Sequence, residues 1–249
     1  MFGKLHFGNN PKGVDDFLIL PGQGSYINPK FIGKKKDTII QGYVTDIITD
    51  VTLNWLDKKR DKDKPFMLMY QFKAPHRPWT PNSKFDSLFI DDLPYPDSFN
   101  DDYEGRLAAS ENMLEIENHM NRKDLKLTPP KGLSKKELGK WNRFGNNGEF
   151  WTPNDTLKGL DLKKWKYQRY IKDYLRCVAG VDESVGKMLD YLKENNLDEN
   201  TIVIYTSDQG FYLGEHGWFD KRWMYEPCLL YTSDAADEGL GVDLGGRRI

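Results

Sequence analysis

The chain of 249 residues is long enough for one large domain or two small ones, and with 38% hydrophobic and 13% aromatic residues it can bury a core. Charged residues make up 30% of it, yet the signs nearly cancel at a net charge of −2, which removes the electrostatic case for nucleic acid or an anionic membrane surface. No apolar run approaches the roughly 20 residues that span a bilayer, and two cysteines, Cys177 and Cys228, are too few for a disulfide framework or a thiolate metal site.

Residues 1–36 are rich in Gly, Pro and Asn and predict loops with little regular structure. From Gln41 to Leu56, Val44, Ile47, Ile48, Val51 and Trp55 recur at helical spacing. After a charged turn from Lys58 to Lys64, Phe66-Met-Leu-Met-Tyr-Gln-Phe72 has the pattern of a buried strand in a parallel sheet. Residues 73–105 predict loop, 106–122 a helical segment, and 128–161 a polar insertion. Trp165 to Asn195 predicts a long helix with Ile171, Tyr174, Leu175, Val178, Val185, Leu189 and Leu192 on its apolar stripe. Thr201-Ile-Val-Ile-Tyr-Thr206 predicts a short β-branched strand that runs straight into Ser207-Asp208-Gln209-Gly210. This order predicts an α/β fold with a parallel sheet. Ligands of such sheets bind beyond the carboxyl ends of the strands, so the clusters around His76 and Asp208 are expected on one edge.

Two stretches at the end, Cys228-Leu-Leu-Tyr-Thr-Ser-Asp-Ala-Ala-Asp-Glu238 and Val242-Asp-Leu-Gly-Gly-Arg-Arg-Ile249, resemble translated frames of a sequencing adapter. Residues 228–249 therefore read as a non-native tail and are set aside. Cys177, in the apolar stripe of the long predicted helix, reads as a buried packing residue.

Three of the four histidines, His6, His76 and His216, lie in Gly- or Pro-rich stretches near a cation. Lys4 stands two residues from His6, Arg77 follows His76, and Lys221 lies five residues after His216. Several cations from separate loops suit an anionic tetrahedral group such as sulfate or phosphate. Asp208 and Gln209 add oxygen ligands that suit a hard cation such as calcium. His119, in a charged amphipathic segment, reads as a structural histidine.

Gly3-Lys-Leu-His-Phe-Gly8 resembles the G-K-W-H-L-G motif of type I sulfatases, with Leu5 in place of Trp. Lys73-Ala-Pro-His-Arg-Pro78 resembles the histidine-bearing loop of that family, and Ser207-to-Gly217 followed by Asp220-Lys-Arg222 resembles its metal and sulfate segment. Trp165-to-Tyr174 and Val181-to-Gly186 resemble it too, in family order. The resemblance implies an alkaline-phosphatase-like parallel-sheet sandwich, incomplete at both ends, with residues 1–227 an interior part of the catalytic domain. It implies that Lys4 and Lys221 bind the sulfate and that His6 is the base that collapses the sulfated intermediate. By the same resemblance His76 is the acid at the ester oxygen, Arg77 and His216 touch substrate, and Asp208 and Gln209 hold one calcium ion.

The family's nucleophile is formylglycine, made from a cysteine in a C-x-P-S-R or C-x-A-S-R context. No cysteine here has that context, and the family's Asp-Asp calcium pair is absent from the sequence. Met1 therefore reads as an internal methionine or the start of a truncated gene, and the 249-residue polypeptide alone is expected to show no turnover of a sulfate ester, a loss that a sulfate-release assay on the purified chain checks. Among sulfatases the motifs most resemble bacterial N-acetylglucosamine-6-sulfatase-like enzymes. That implies 6-O-sulfated glucosamine units of glycans as substrate, a formylglycine-generating or maturase partner, and a periplasmic, cell-surface or secreted location. Trp79, Trp141 and Trp151 are candidates to stack on sugar rings, with packing beneath a loop as the alternative. Two other readings stand beside this one: a phosphodiesterase or phosphonate hydrolase of the same superfamily, and a non-catalytic glycan-binding relative. Gln209 in place of His after Asp208 argues against the first.

Overall fold

The computed structural model describes residues 1–129, 133–136, 138 and 157–223. Trp141, Trp151, most of the 128–161 insertion and the 228–249 tail lie outside them. The chain divides into two compact units: Met1–Asp91 with Arg122–Thr152 and Lys172–Thr201, and Asp92–Asn121 with Pro153–Ile171 and Ile202–Ile249.

The first unit holds a five-stranded mixed sheet. Its strands are β1 (Phe2–Lys4), β2 (Leu18–Leu20), β3 (Lys30–Gly33), β4 (Thr38–Ile39) and β5 (Tyr70–Gln71), in the order β4-β3-β2-β1-β5. Strands β2, β1 and β5 run parallel, while β3 and β4 join antiparallel. The α/β expectation with a parallel sheet is met, but the loop expectation for residues 1–36 is not, since three strands lie there. Strands of three or four residues between turns are too short to display a period of two. Gly3 carries φ +110°, and a Cβ there would lie 1.7 Å from the Gln71 carbonyl oxygen, so the β1–β5 pairing beside Lys4 requires glycine.

Helix α1 (Val44–Lys58) packs on β1 and β5 and buries Val44, Ile47, Ile48 and Leu56, and Trp55 meets Phe2 at 5.8 Å between ring centroids. Asp46 in its first turn and Lys58 in its last complement the helix dipole. Among the described residues the predicted strand Phe66–Phe72 pairs only at Tyr70 and Gln71, and Met67 is 86% exposed. The apolar run reports an appetite for burial, whereas a strand needs a partner ladder. The same physics corrects the second strand: Thr201–Thr206 joins no sheet among the described residues, and Ile202 is 90% exposed.

The segment 106–122 forms two short helices, α2 (Leu107–Ser110) and α3 (Ile116–His119), instead of one. The Asn112 side chain donates to the Ala109 carbonyl and accepts from Leu114 N–H at 2.7 Å, offering the backbone a turn in place of helix. His119 Nδ1 accepts from Glu115 N–H at 3.2 Å, a local structural bond.

The long helix α4 (Gly159–Glu194) starts six residues before the predicted Trp165. Its buried stripe in the first unit is Asp173, Cys177, Val181, Ser184, Met188 and Leu192. Leu189, expected inside, is exposed. The stripe is rotated because hydrophobicity alone cannot foresee that Asp173 and Ser184 face inward. The Ser184 carbonyl accepts from Tyr70 OH at 3.4 Å, and Asp173 lies 3.4 Å from Lys126 Nζ. Cys177 is buried beside the Tyr43 hydroxyl, and burial pushes its thiol up to about 12, as suits a packing residue.

In the second unit, β6 (Tyr212–Leu213) pairs antiparallel with β7 (Phe219–Asp220). Tyr212 and Trp218 pack with Ala109 and Leu114 in a small core. Tyr95, Phe99 and Tyr167 form a second aromatic cluster at 4.8–5.2 Å.

Candidate active site residues

In the first unit, β1, β2 and β5 are parallel, so the loops after them leave one edge of the sheet. Lys4 and His6 follow β1, Gln23 follows β2, and Lys73, His76 and Arg77 follow β5. Contacts tie these loops together. The Gln23 amide donates to His6 Nε2 at 3.0 Å, and Lys73 Nζ donates to the Gln23 carbonyl at 2.8 Å while lying 4.8 Å above the Tyr26 ring. The Tyr26 hydroxyl donates to the His76 carbonyl at 2.6 Å.

His76 Nδ1 lies 2.9 Å from the Arg77 carbonyl oxygen. A carbonyl only accepts, so Nδ1 carries a proton and proton exchange falls to Nε2. The Gln23 amide nitrogen lies 3.0 Å from His6 Nε2 and 3.4 Å from Nδ1, so it can donate to the bare nitrogen of either neutral tautomer. Lys73 is buried, and burial, with Lys4 adding to it, lowers its ammonium to about 7.

Arg77 is committed inward. Its Nε and Nη2 donate to Asp124 at 3.1 and 2.5 Å, and its guanidinium sits 5.9 Å from the Trp79 ring centroid. Trp79 is fully buried, with Lys126 on its ring at 5.8 Å, so its role is packing beneath the loop and not stacking on a sugar.

In the second unit, the tight turn between β6 and β7 holds His216. Gly214 and Gly217 take φ +114° and +70°, and a Cβ on them would come within 2.5 Å of the Tyr167 ring and of Lys163 Nζ. Asp208, Gln209 and Lys221 gather nearby in sequence and space. Gln209 Nε2 donates to the Lys221 carbonyl at 2.8 Å, and Lys221 Nζ lies 3.7 Å from the exposed Asp208 carboxylate. His216 belongs to another network, in which its Nδ1 meets Asp101 at 2.5 Å.

Asp208 and Gln209 fit a hard cation in kind, as oxygen donors, but calcium takes six to eight oxygens. Among the described residues no group of three or more His, Cys, Asp or Glu side chains could hold a metal ion. Lys73 is read from the sequence as part of the His76 loop, whereas Gln23, Asp101 and Asp124 are not read from it as site residues. Only Gln23 carried a local signal, the Gly22-Gln-Gly24 turn, while the others are recognised through partners distant along the chain.

A family model described as Sulfatase matches residues 1–240. The chain is 43% identical to an N-acetylglucosamine-6-O-sulfatase of Bacteroides thetaiotaomicron, over 92% of this chain and 44% of that protein. It is 26% identical to an arylsulfatase of Clostridium perfringens over 92% of this chain and 44% of that protein. Among solved structures, one described as in complex with its substrate D-glucosamine-2-N,6-O-disulfate superimposes with a TM-score of 0.74 at 41% identity, covering 91% of this chain and 50% of that one. The likeness supports the alkaline-phosphatase-like α/β fold read from the motifs. The chain spans half the length of these relatives or less. On the match of residues 1–240 and the 43% identity to a curated sulfatase, the chain belongs to the sulfatase family.

Proposed function

We propose that this chain carries the sulfate- and sugar-handling residues of a sulfuric ester hydrolase acting on 6-O-sulfated N-acetylglucosamine units of glycans. The observation that carries this is the edge of the first unit's sheet, where Lys4, His6, Lys73 and His76 follow parallel strands and His76 is held in one tautomer by its own loop. The Bacteroides relative's description supports the substrate class.

In this reading Lys4 holds the sulfate, and Lys221 in the second unit does the same. An alkoxide leaves poorly without a proton, and His76 Nε2 delivers one to the ester oxygen. His6 removes a proton when the sulfated intermediate collapses, its lone pair passing from the Gln23 amide to that proton. Arg77 stiffens the His76 loop through Asp124, and His216 contacts substrate. Asp208 and Gln209 supply two oxygens to a calcium ion, which when bound polarises the sulfate and offsets its charge. The family's formylglycine finds no matching residue here: Cys177 is buried, and neither cysteine has the motif. A maturase partner and export to the periplasm or cell surface complete the proposal. Among the described residues no helix is long and apolar enough to cross a membrane, and a putative extracellular sulfatase of Caenorhabditis elegans is among the relatives.

A chimera tests the reading: residues 1–223 replace the matched stretch of the Bacteroides relative. Release of sulfate from N-acetylglucosamine 6-sulfate, lost on chelation and restored by calcium, is the expected result. Substituting His76→Ala in it lowers kcat about 10²-fold. Hydrolysis of a phosphodiester with zinc or manganese, and none of the sulfate ester, overturns it.

A further inference from the structure

His216 sits in a built setting inside the second unit. Its Nδ1 lies 2.5 Å from Asp101 Oδ2, and the two side chains are 12% and 9% exposed. Arg106 donates to both Asp101 oxygens, through Nη1 at 2.9 Å and Nη2 at 2.5 Å, and Tyr103 N–H donates to Oδ1 at 3.0 Å. The backbone of His216 is fixed as well. Its N–H donates to Ser98 Oγ at 3.1 Å, and its carbonyl accepts from the Tyr103 hydroxyl at 2.6 Å, which itself accepts from Trp218 Nε1 at 2.7 Å. The residue holds φ +56°, a left-handed conformation that costs energy for a non-glycine residue and persists where the surroundings over-determine it. The Trp218 ring lies 5.0 Å away on one side.

We propose that Asp101 is the positioning residue of His216: its carboxylate, oriented by Arg106 and Tyr103, takes the Nδ1–H and so fixes both the ring's direction and its tautomer. The Arg106 guanidinium holds the Asp101 carboxyl well below the usual carboxylate range, so it acts as an acceptor only. In the neutral ring Nε2 is then the acceptor nitrogen. The ligand chemistry that fits is a hydroxyl donor, of which a sugar ring offers several. This step rests on the reading of His216 as a substrate contact. Asp101 touches the imidazole and not the substrate, so its effect is transmitted through His216.

The test is the nitrogen spectrum of the four histidines in the 15N-labelled 249-residue chain, at a pH where the rings are neutral, with His216 assigned by His216→Gln. The expected wild-type pattern for His216 is a protonated Nδ1 and a bare Nε2. In Asp101→Asn the amide oxygen stays with Tyr103 N–H and Arg106 Nη2, so the amide NH2 faces Nδ1 and drives the proton to Nε2. Arg106→Gln keeps the carboxylate and is expected to keep Nδ1–H. An Nε2–H tautomer in the wild type overturns the proposal even if neither variant folds, and so does an unchanged spectrum in a folded Asp101→Asn. In the chimera, Asp101→Asn is expected to raise KM for the 6-sulfated sugar roughly tenfold with kcat little changed, as suits one misdirected hydrogen bond. A tautomer that flips while KM and kcat stay put overturns the substrate role of His216 and leaves the Asp101 assignment standing.

Discussion

Replacing Arg77 with Met is expected to destabilise the chain by about 3 kcal/mol, read by urea unfolding followed by circular dichroism. The reason is the partner left behind. Asp124 has a side chain 3% exposed, and Arg77, at 22%, meets it with two hydrogen bonds in the fork geometry that suits carboxylates. Removing the guanidinium takes two charge-assisted hydrogen bonds from a buried carboxylate, and that penalty exceeds anything the pair contributes by existing. The double variant Arg77→Met/Asp124→Leu removes both charges together and is expected to regain most of the loss. A single variant within about 0.5 kcal/mol of wild type would show that the pair does not hold the loop, and would leave Arg77 with the substrate contact that the family resemblance implies.

Replacing Lys73 with Met is expected to do the opposite, and in a pH-dependent way. The Lys73 ammonium titrates at about 7 against an ordinary 10.5, chiefly because it is buried and secondarily because Lys4 stands near. Below pH 7 folded and unfolded chains both hold the proton, and the folded chain bears the full cost of a buried charge. Between pH 7 and 10.5 the unfolded chain holds more protons than the folded one, so stability rises with pH. Above 10.5 both are neutral and the cost is gone. At about 1.4 kcal/mol per pH unit the span amounts to roughly 5 kcal/mol. Lys73→Met removes it, so the variant is expected to exceed wild type most at pH 6–7 and to lose the advantage by about pH 10.5. The variant also forfeits the bond to the Gln23 carbonyl and the contact with the Tyr26 ring, a constant offset. Parallel stability–pH curves for the two proteins would show that Lys73 is charged and hydrated at neutral pH.

The parts of the fold that were readable are those with a long period. Helix α1 falls where Val44, Ile47 and Ile48 recur, and α4 where seven apolar residues recur over some twenty positions. The strands were harder. β1 and β2 are three residues each, shorter than any window in which alternation can be counted, while Thr201–Thr206 has strong β composition and no partner among the described residues. The rotation of the α4 stripe has the same origin. Asp173 is polar, so no hydrophobic count places it inside, yet it is fully buried within reach of Lys126 and Arg176.

For the site, the residue types and their order are written in the chain: Lys4 with His6, His76 with Arg77, Asp208 with Gln209, then His216 and Lys221. Those motifs were enough to point to a sulfatase, because each depends on neighbours in the chain. What those side chains do with their hydrogen bonds depends on the packed fold. It turned Arg77 inward onto Asp124, buried Trp79, set Gln23 against His6, and joined His216 to Asp101 across more than a hundred residues of chain. The physical reason is that a motif records which chemistry is available at a position, whereas a tautomer, a shifted pKa or a committed guanidinium depends on groups brought close only when strands and helices pack.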